Sequence, residues 1–368
     1  MYTIKPFLFG SVVICSLVSS VAIADPNLTL AINTKATAEY WTPERMRNAQ
    51  PMELPKASLT KKLSLEELKA QYKDEKPEII SNPAFPSVQI APQQHQLYQP
   101  IAQKKLIAPQ DTGISNEQFS SSQLIPTSAD QLYPYMTVGK LFFTTPNGDK
   151  TCSGVVVAKR LVLTAGHCVH SGNSDVTGYY KKWTFVPAFH QGNAPFQQWH
   201  PNIATISYQW YSGGGTVPNA GDWALLVMAD QTADDGSVHS IGDVVGNLGI
   251  QTLSAMPNHA HIFGYPGNLD GGLLIHEVTS QSSLAVTPNN VEYGSDMNLG
   301  TGGSPFIQNF GVASDGTVPG TNAARNMVIG LASYGYSDSV TFALGTSILN
   351  ASFTSYFKSV CGLKVGNC

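Results

Sequence analysis

Cys152-Ser153-Gly154-Val155-Val156-Val157-Ala158-Lys159-Arg160-Leu161-Val162-Leu163-Thr164-Ala165-Gly166-His167-Cys168 decides how this chain is read. Val155-Val156-Val157 and Leu161-Val162-Leu163 have the β-branched and aliphatic composition of two short buried strands. Ala158 to Arg160 supplies the turn between them. A cysteine opens the first strand, and a second follows directly on a histidine at the end of a Leu-Thr-Ala-Gly approach. A bridge between Cys152 and Cys168 would tie the ends of this hairpin and fix His167 at a strand terminus.

The segment resembles the histidine segment of trypsin-like serine proteases, in which the imidazole is the general base. That resemblance gives a role to Asp222, which opens the buried run Ala224-Leu225-Leu226-Val227 and lies 55 residues after His167. In the family, an Asp before such a strand accepts the Nδ1 proton and holds the tautomer. Phe185-Val186-Pro187-Ala188-Phe189 through Phe196-Gln197-Gln198-Trp199 resembles bacterial trypsin-like proteins related to glutamyl endopeptidases. So do Trp41-Thr42-Pro43-Glu44-Arg45-Met46 and Val138-Gly139-Lys140-Leu141-Phe142-Phe143. Ile329 to Gly335 resembles the late strand that pairs with substrate backbone; Ser333, Tyr334 and Gly335 would lie along a peptide, with Tyr334 packing on a side chain.

The nucleophile segment departs from the family pattern Gly-x-Ser-Gly-(Gly/Ser)-Pro and reads Gly300-Thr301-Gly302-Gly303-Ser304-Pro305. Anchored on Gly300 and Pro305, the nucleophile position holds Gly302, Gly300 and Gly302 supply the oxyanion amides, and the protein is a dead protease. Anchored on Gly302-Gly303-Ser304, the pattern Gly-x-Ser returns, with the amides of Gly302 and Ser304 around the oxyanion. Ser304, the one serine in the segment, is then the nucleophile. In the first register Asp296 lies six residues before the nucleophile position, the offset of a pocket floor that favours Arg or Lys. In the second register Asn298 takes that place. The acid that pairs with a new N-terminus in the trypsin subgroup is replaced by Thr301 or Gly303, so release of a pro-segment would act differently, for instance by unblocking the cleft.

Lys5, the apolar run Phe7 to Val21 and Ala22-Ile23-Ala24 form a signal-peptide pattern over residues 1–24. Four cysteines follow it, and an even count in an exported chain reads as two disulfides. With Cys152 and Cys168 joined, Cys361–Cys368 remains by elimination. The spacings do not form paired C-x-x-C knuckles of a zinc site. A net charge of -4 and the lack of a basic amphipathic stretch argue against nucleic acid and membrane surfaces as partners.

Composition shifts near residue 135. Of 33 glycines, 31 fall at or after Gly139, whereas 12 of 23 prolines lie between 25 and 134. Residues 25–133 therefore read as an extended pro-region or tether without a core of its own, docked through short helices near Trp41 and Leu65. Thr42-Pro43-Glu44 starts one helix; Ser64-Leu65-Glu66-Glu67 is a capping box for the other, stopped by Pro77. Residues 134–368 have the glycine-rich turns and short strands of an all-β unit, with helical spacing only over Ser347 to Val360.

The resemblance implies two six-stranded antiparallel β-barrels of the chymotrypsin type with a C-terminal helix. It implies a monomeric, secreted or periplasmic endopeptidase acting on protein or peptide through an acyl-enzyme, with His167, Asp222 and Ser304 as its triad and no cofactor or metal. The alternative is an inactive homologue that binds peptides or a partner.

Overall fold

The computed structural model describes residues 28–57, 61–100, 112, 117–233, 235–311, 324–336, 338 and 340–368; the expected leader lies outside them. Two sheets organise the chain. The first contains six antiparallel strands in the order 201–206, 224–228, 161–164, 148–158, 138–145, 181–187. The second has six in the order 343–347, 290–294, 276–286, 259–264, 305–308, 327–331. These are the two barrels of a chymotrypsin fold.

The hairpin forms as its sequence dictates. Val155 pairs with Leu163 and Val156 with Val162, and an irregularity at the turn brings Ala158 opposite Leu161. Because side chains alternate across a strand, Val155, Val157, Leu161 and Leu163 enter one apolar cluster while Val156 and Val162 enter another. All six are fully buried, each contributing about 1.5–3 kcal/mol by leaving water. Cys152 and Cys168 are joined, as are Cys361 and Cys368.

The C-terminal helix runs Ala351–Gly362, later than its apolar spacing suggests. Ser347 instead ends a strand, Ala343–Ser347, and Asn350 caps the helix by accepting from the amides of Ser352 and Phe353. Phe353 packs edge-on against Trp223 at 5.2 Å, and the Tyr356 hydroxyl accepts the Leu225 amide at 2.8 Å. The helix thereby braces the strand that follows Asp222. The C-terminal loop reaches the hairpin turn: the Arg160 amide donates to Asn367, and its guanidinium holds Asp230 through two hydrogen bonds, 2.6 and 2.9 Å.

The front segment does more than dock through two helices. Those helices are present, Pro43–Asn48 capped by Thr42 and Leu65–Gln71 with the Ser64–Glu67 capping box. In addition, Thr29–Ala31 and Gln50–Pro51 add to the first sheet, while Lys62–Leu63, Ile79–Ser81 and Phe119–Gln123 add to the second. Trp41 and Met46 join the core around Phe142, and Leu54, Leu63, Leu68 and Phe119 join the core of the second sheet. The glycine-poor composition reflects extended strands added to sheet edges. After limited proteolysis, fragments from residues 28–57 and 117–133 are therefore expected to co-elute with the remainder on gel filtration and to separate only in denaturant. Their release under native conditions would contradict this packing.

His200 makes the fold acid-sensitive. Burial pushes its pKa down to about 4, against a smaller upward pull from a hydrogen bond to the Trp183 backbone. Between about pH 6.5 and 4 the unfolded chain takes up a proton that the folded chain refuses, so stability falls as pH falls through that window. The loss by pH 4.5 is about 2 kcal/mol after allowance for partial exposure of the ring. Urea midpoints at pH 7 and 4.5 should converge in His200→Asn relative to the parent chain.

Candidate functional site

His167 occupies a single 3₁₀ turn, Gly166–Cys168, that ends the hairpin. Asp222 reaches it through strand register. Ala224 lies opposite Thr164, so the residues before Ala224 run beside those after Thr164. The Asp222 carboxylate accepts the His167 amide on Oδ1 at 2.8 Å and lies 2.7 Å from His167 Nδ1 through Oδ2. A carboxylate accepts only, so His167 meets it through Nδ1–H, and Nε2 points away from Asp222. Ser333, which follows the strand Met327–Leu331 of the second sheet, donates its hydroxyl to the same Oδ2 at 2.7 Å. Three donors thus converge on one buried carboxylate. Trp210 stands edge-on to the His167 ring at 6.0 Å and donates its indole N–H to the His170 carbonyl.

His167 Nε2 is buried and has no hydrogen-bond partner. It faces Gly302. A Cβ at that glycine would overlap Nε2 and stand 2.9 Å from Cε1 and 3.0 Å from Cys168 Sγ. The surrounding loop is fixed by its backbone. Gly300 and Gly303 both adopt φ of +80°, a region that favours glycine, and bracket Thr301-Gly302 at the apex nearest the imidazole. The Gly302 carbonyl accepts the Ser153 amide at 2.9 Å, and the Gly303 amide donates to Ala332 at 2.8 Å.

Ser304, expected as nucleophile, does not stand at His167. Its amide closes a turn onto the Thr301 carbonyl, and its carbonyl accepts the Ala332 amide as the strand Pro305–Gln308 begins. The side chain is directed at Gly264, where a Cβ would overlap its Oγ. That oxygen is buried and bonds to neither His167 nor any other group. Gly302, and not Ser304, is thus the residue that faces His167 Nε2.

The remaining expected residues follow strands of the second sheet. Asp296 is buried after the strand Asn290–Gly294, and its carbonyl accepts from Asn268. Tyr334 is fully buried rather than open to a ligand: its ring covers Gly345 and its hydroxyl donates to Glu292 at 2.9 Å. Glu292 also accepts from Tyr336 at 2.6 Å. Burial raises the Glu292 carboxyl above the ordinary range, against the two tyrosine hydrogen bonds that lower it. Glu292 escaped the sequence reading, although a lone acid in Asn290-Val291-Glu292-Tyr293-Gly294, a strand otherwise uncharged, is the signal that marks it. Gly335 pairs with the front segment, donating to Pro55 at 3.2 Å and accepting from Ala57 at 3.0 Å. The Gly300 amide, expected at the oxyanion, donates to the Met52 carbonyl at 2.7 Å. Cys152, His167 and Cys168 cluster, but the two sulfurs are joined in a disulfide and supply no thiolate for a metal.

The trypsin family profile matches residues 127–353, and the chain belongs to that family. Among solved structures, it is similar to the protease Anisep from Arthrobacter nicotinovorans (26% identity, TM-score 0.49, covering 61% of this chain and 95% of that one). The thermostable serine protease AL20 from an extremophilic microorganism aligns at 20% identity and TM-score 0.50, over 62% of this chain and 98% of its own. A Glu endopeptidase solved in complex with MPD aligns at 18% and 0.49, over 68% and 98%. A search of curated proteins finds no match.

Asp222→Ala would leave the His167 amide, Nδ1–H and the Ser333 hydroxyl without their acceptor. A loss of about 3 kcal/mol or more is expected in urea unfolding, against roughly 1 kcal/mol for Ser333→Ala, which removes one donor.

Proposed function

We propose that this trypsin-family chain is a secreted or periplasmic peptide-binding homologue that does not cleave peptide bonds through the family's serine. The observation that carries this reading is Gly302 against His167 Nε2, where a hydroxyl-bearing side chain would be needed for acyl transfer. The two disulfides fit an oxidising compartment. No helix among the described residues is long and apolar enough to cross a membrane.

Hydrolysis with Ser304 as nucleophile is the second reading, favoured by the His167–Asp222–Ser333 array, which has the base and its orienting group in place. It requires residues 302–305 to rebuild so that the Ser304 hydroxyl reaches Nε2. A fluorophosphonate probe separates the two. The inactive reading requires no labelling of the purified chain above that of Ser304→Ala. Labelling abolished by both Ser304→Ala and His167→Ala would establish the second. Gly302→Ser is not expected to confer labelling by itself, since its Cβ would collide with His167 unless the loop or the ring moves.

A further inference from the structure

The groove between Gly300 and Gly335 holds part of the same chain. Gln50 and Pro51 pair in parallel with Lys150 and Thr151, and the Met52 amide donates to the Thr151 carbonyl at 2.9 Å. The Met52 carbonyl then takes the Gly300 amide, next to the Thr301-Gly302 apex. Further on, Lys56 bridges Gly335 in parallel, with the Pro55 carbonyl and the Ala57 amide as its hydrogen-bonding groups. Between these contacts Leu54 is only 2% exposed and lies in the apolar cluster that contains Met297 and Ala332. Its Cδ1 would be 3.3 Å from a Cβ at Gly335. Glu53 and Lys56, the two charged residues of the stretch, are exposed. Ala57 packs against the cluster of Trp210, Val217 and Tyr334.

We propose that Gln50–Ala57 is a built-in occupant of the peptide groove, which an external peptide must displace. This rests on the reading of the groove as peptide-binding. The segment and such a peptide compete for the same groups. An extended ligand lying along the groove would need the Gly300 amide and the Gly335 amide and carbonyl, and the segment already uses all three. Main-chain pairing supplies affinity that tolerates sequence, and the buried Leu54 supplies the side-chain anchor. Pro51 and Pro55 stiffen the segment, and attachment to the same chain gives it a high effective concentration. The occupant runs parallel to the edge at Gly335. The ligand that fits in its place is an extended peptide with an apolar residue where Leu54 sits.

Amide exchange on the full chain, with a fluorescein-labelled peptide of the sequence of residues 49–57, tests this. In the wild type, the amides of Gly300, Gly335 and Ala57 should be protected. In Leu54→Asp they should exchange at least about tenfold faster, while those of Leu226 and Phe263 keep their protection. The labelled peptide should bind this variant and bind the wild type about a hundredfold more weakly. Leu54→Ala serves in the same way should the aspartate disturb the core amides. Unprotected Gly300 and Gly335 amides in the wild type, or equal peptide binding by wild type and variant, would overturn the proposal. Faster exchange in the variant without peptide binding would uphold the occupant and refute the groove as a peptide site.

Discussion

The Asp222 carboxylate is the joint on which the two barrels meet. It lies just before a strand of the first sheet, yet one of its three donors, Ser333, lies just after a strand of the second. A buried charge is tolerated only when it is fully hydrogen-bonded, and the shared acceptor satisfies that demand by uniting the sheets. The position of His167 follows from it. Both the backbone amide and the ring nitrogen of His167 are held by the same carboxylate, so neither the turn nor the imidazole can rotate independently. The free Nε2 is thereby aimed at the 300–304 loop whatever that loop carries.

What the loop carries separates chemistry from architecture. His167 and Asp222 keep their hydrogen-bonded pairing, and the loop facing them is shaped by the positive φ of Gly300 and Gly303. The side chain at the apex is reduced to hydrogen. The imidazole and Gly302 are closer than a side chain at that position would allow. Polar groups remain at this seam without partners, His167 Nε2 and Ser304 Oγ among them. Buried polar atoms without a partner are uncommon, and two of them lie at this loop.

Legibility in the sequence followed the range of the forces involved. The hairpin, the cap residues Thr42 and Ser64, the cysteine pairs and the Asp222 strand are set by local patterns of branching, capping and spacing, and these could be read directly. The last helix starts later than the helical spacing from Ser347 suggests, because the sheet recruits Ser347 opposite Asn290. Ser304 and Gly302 could not be ranked from sequence, because two residues along one loop differ only in which way the backbone turns. The pairing of the front segment is illegible in the sequence for a related reason. Its strands are two to five residues long and gain their partners entirely from distant parts of the chain.

The clasp between Arg160 and the C-terminal loop has a kinetic meaning. The turn that folds most readily by itself ends in a guanidinium whose partners include the Gly366 carbonyl, 206 residues away, and Asp230, 70 residues away. Its neighbouring strand is braced by Tyr356 from 131 residues downstream. The hairpin can acquire its shape early, but its charge is neutralised and its edge sealed only when the remote tail arrives. Long loops must close before those contacts reward them, which places this protein among slowly maturing topologies. The seven-residue separation of Cys361 and Cys368 shortens the final search, since it delivers Gly366 and Asn367 as one preformed ring instead of a free end.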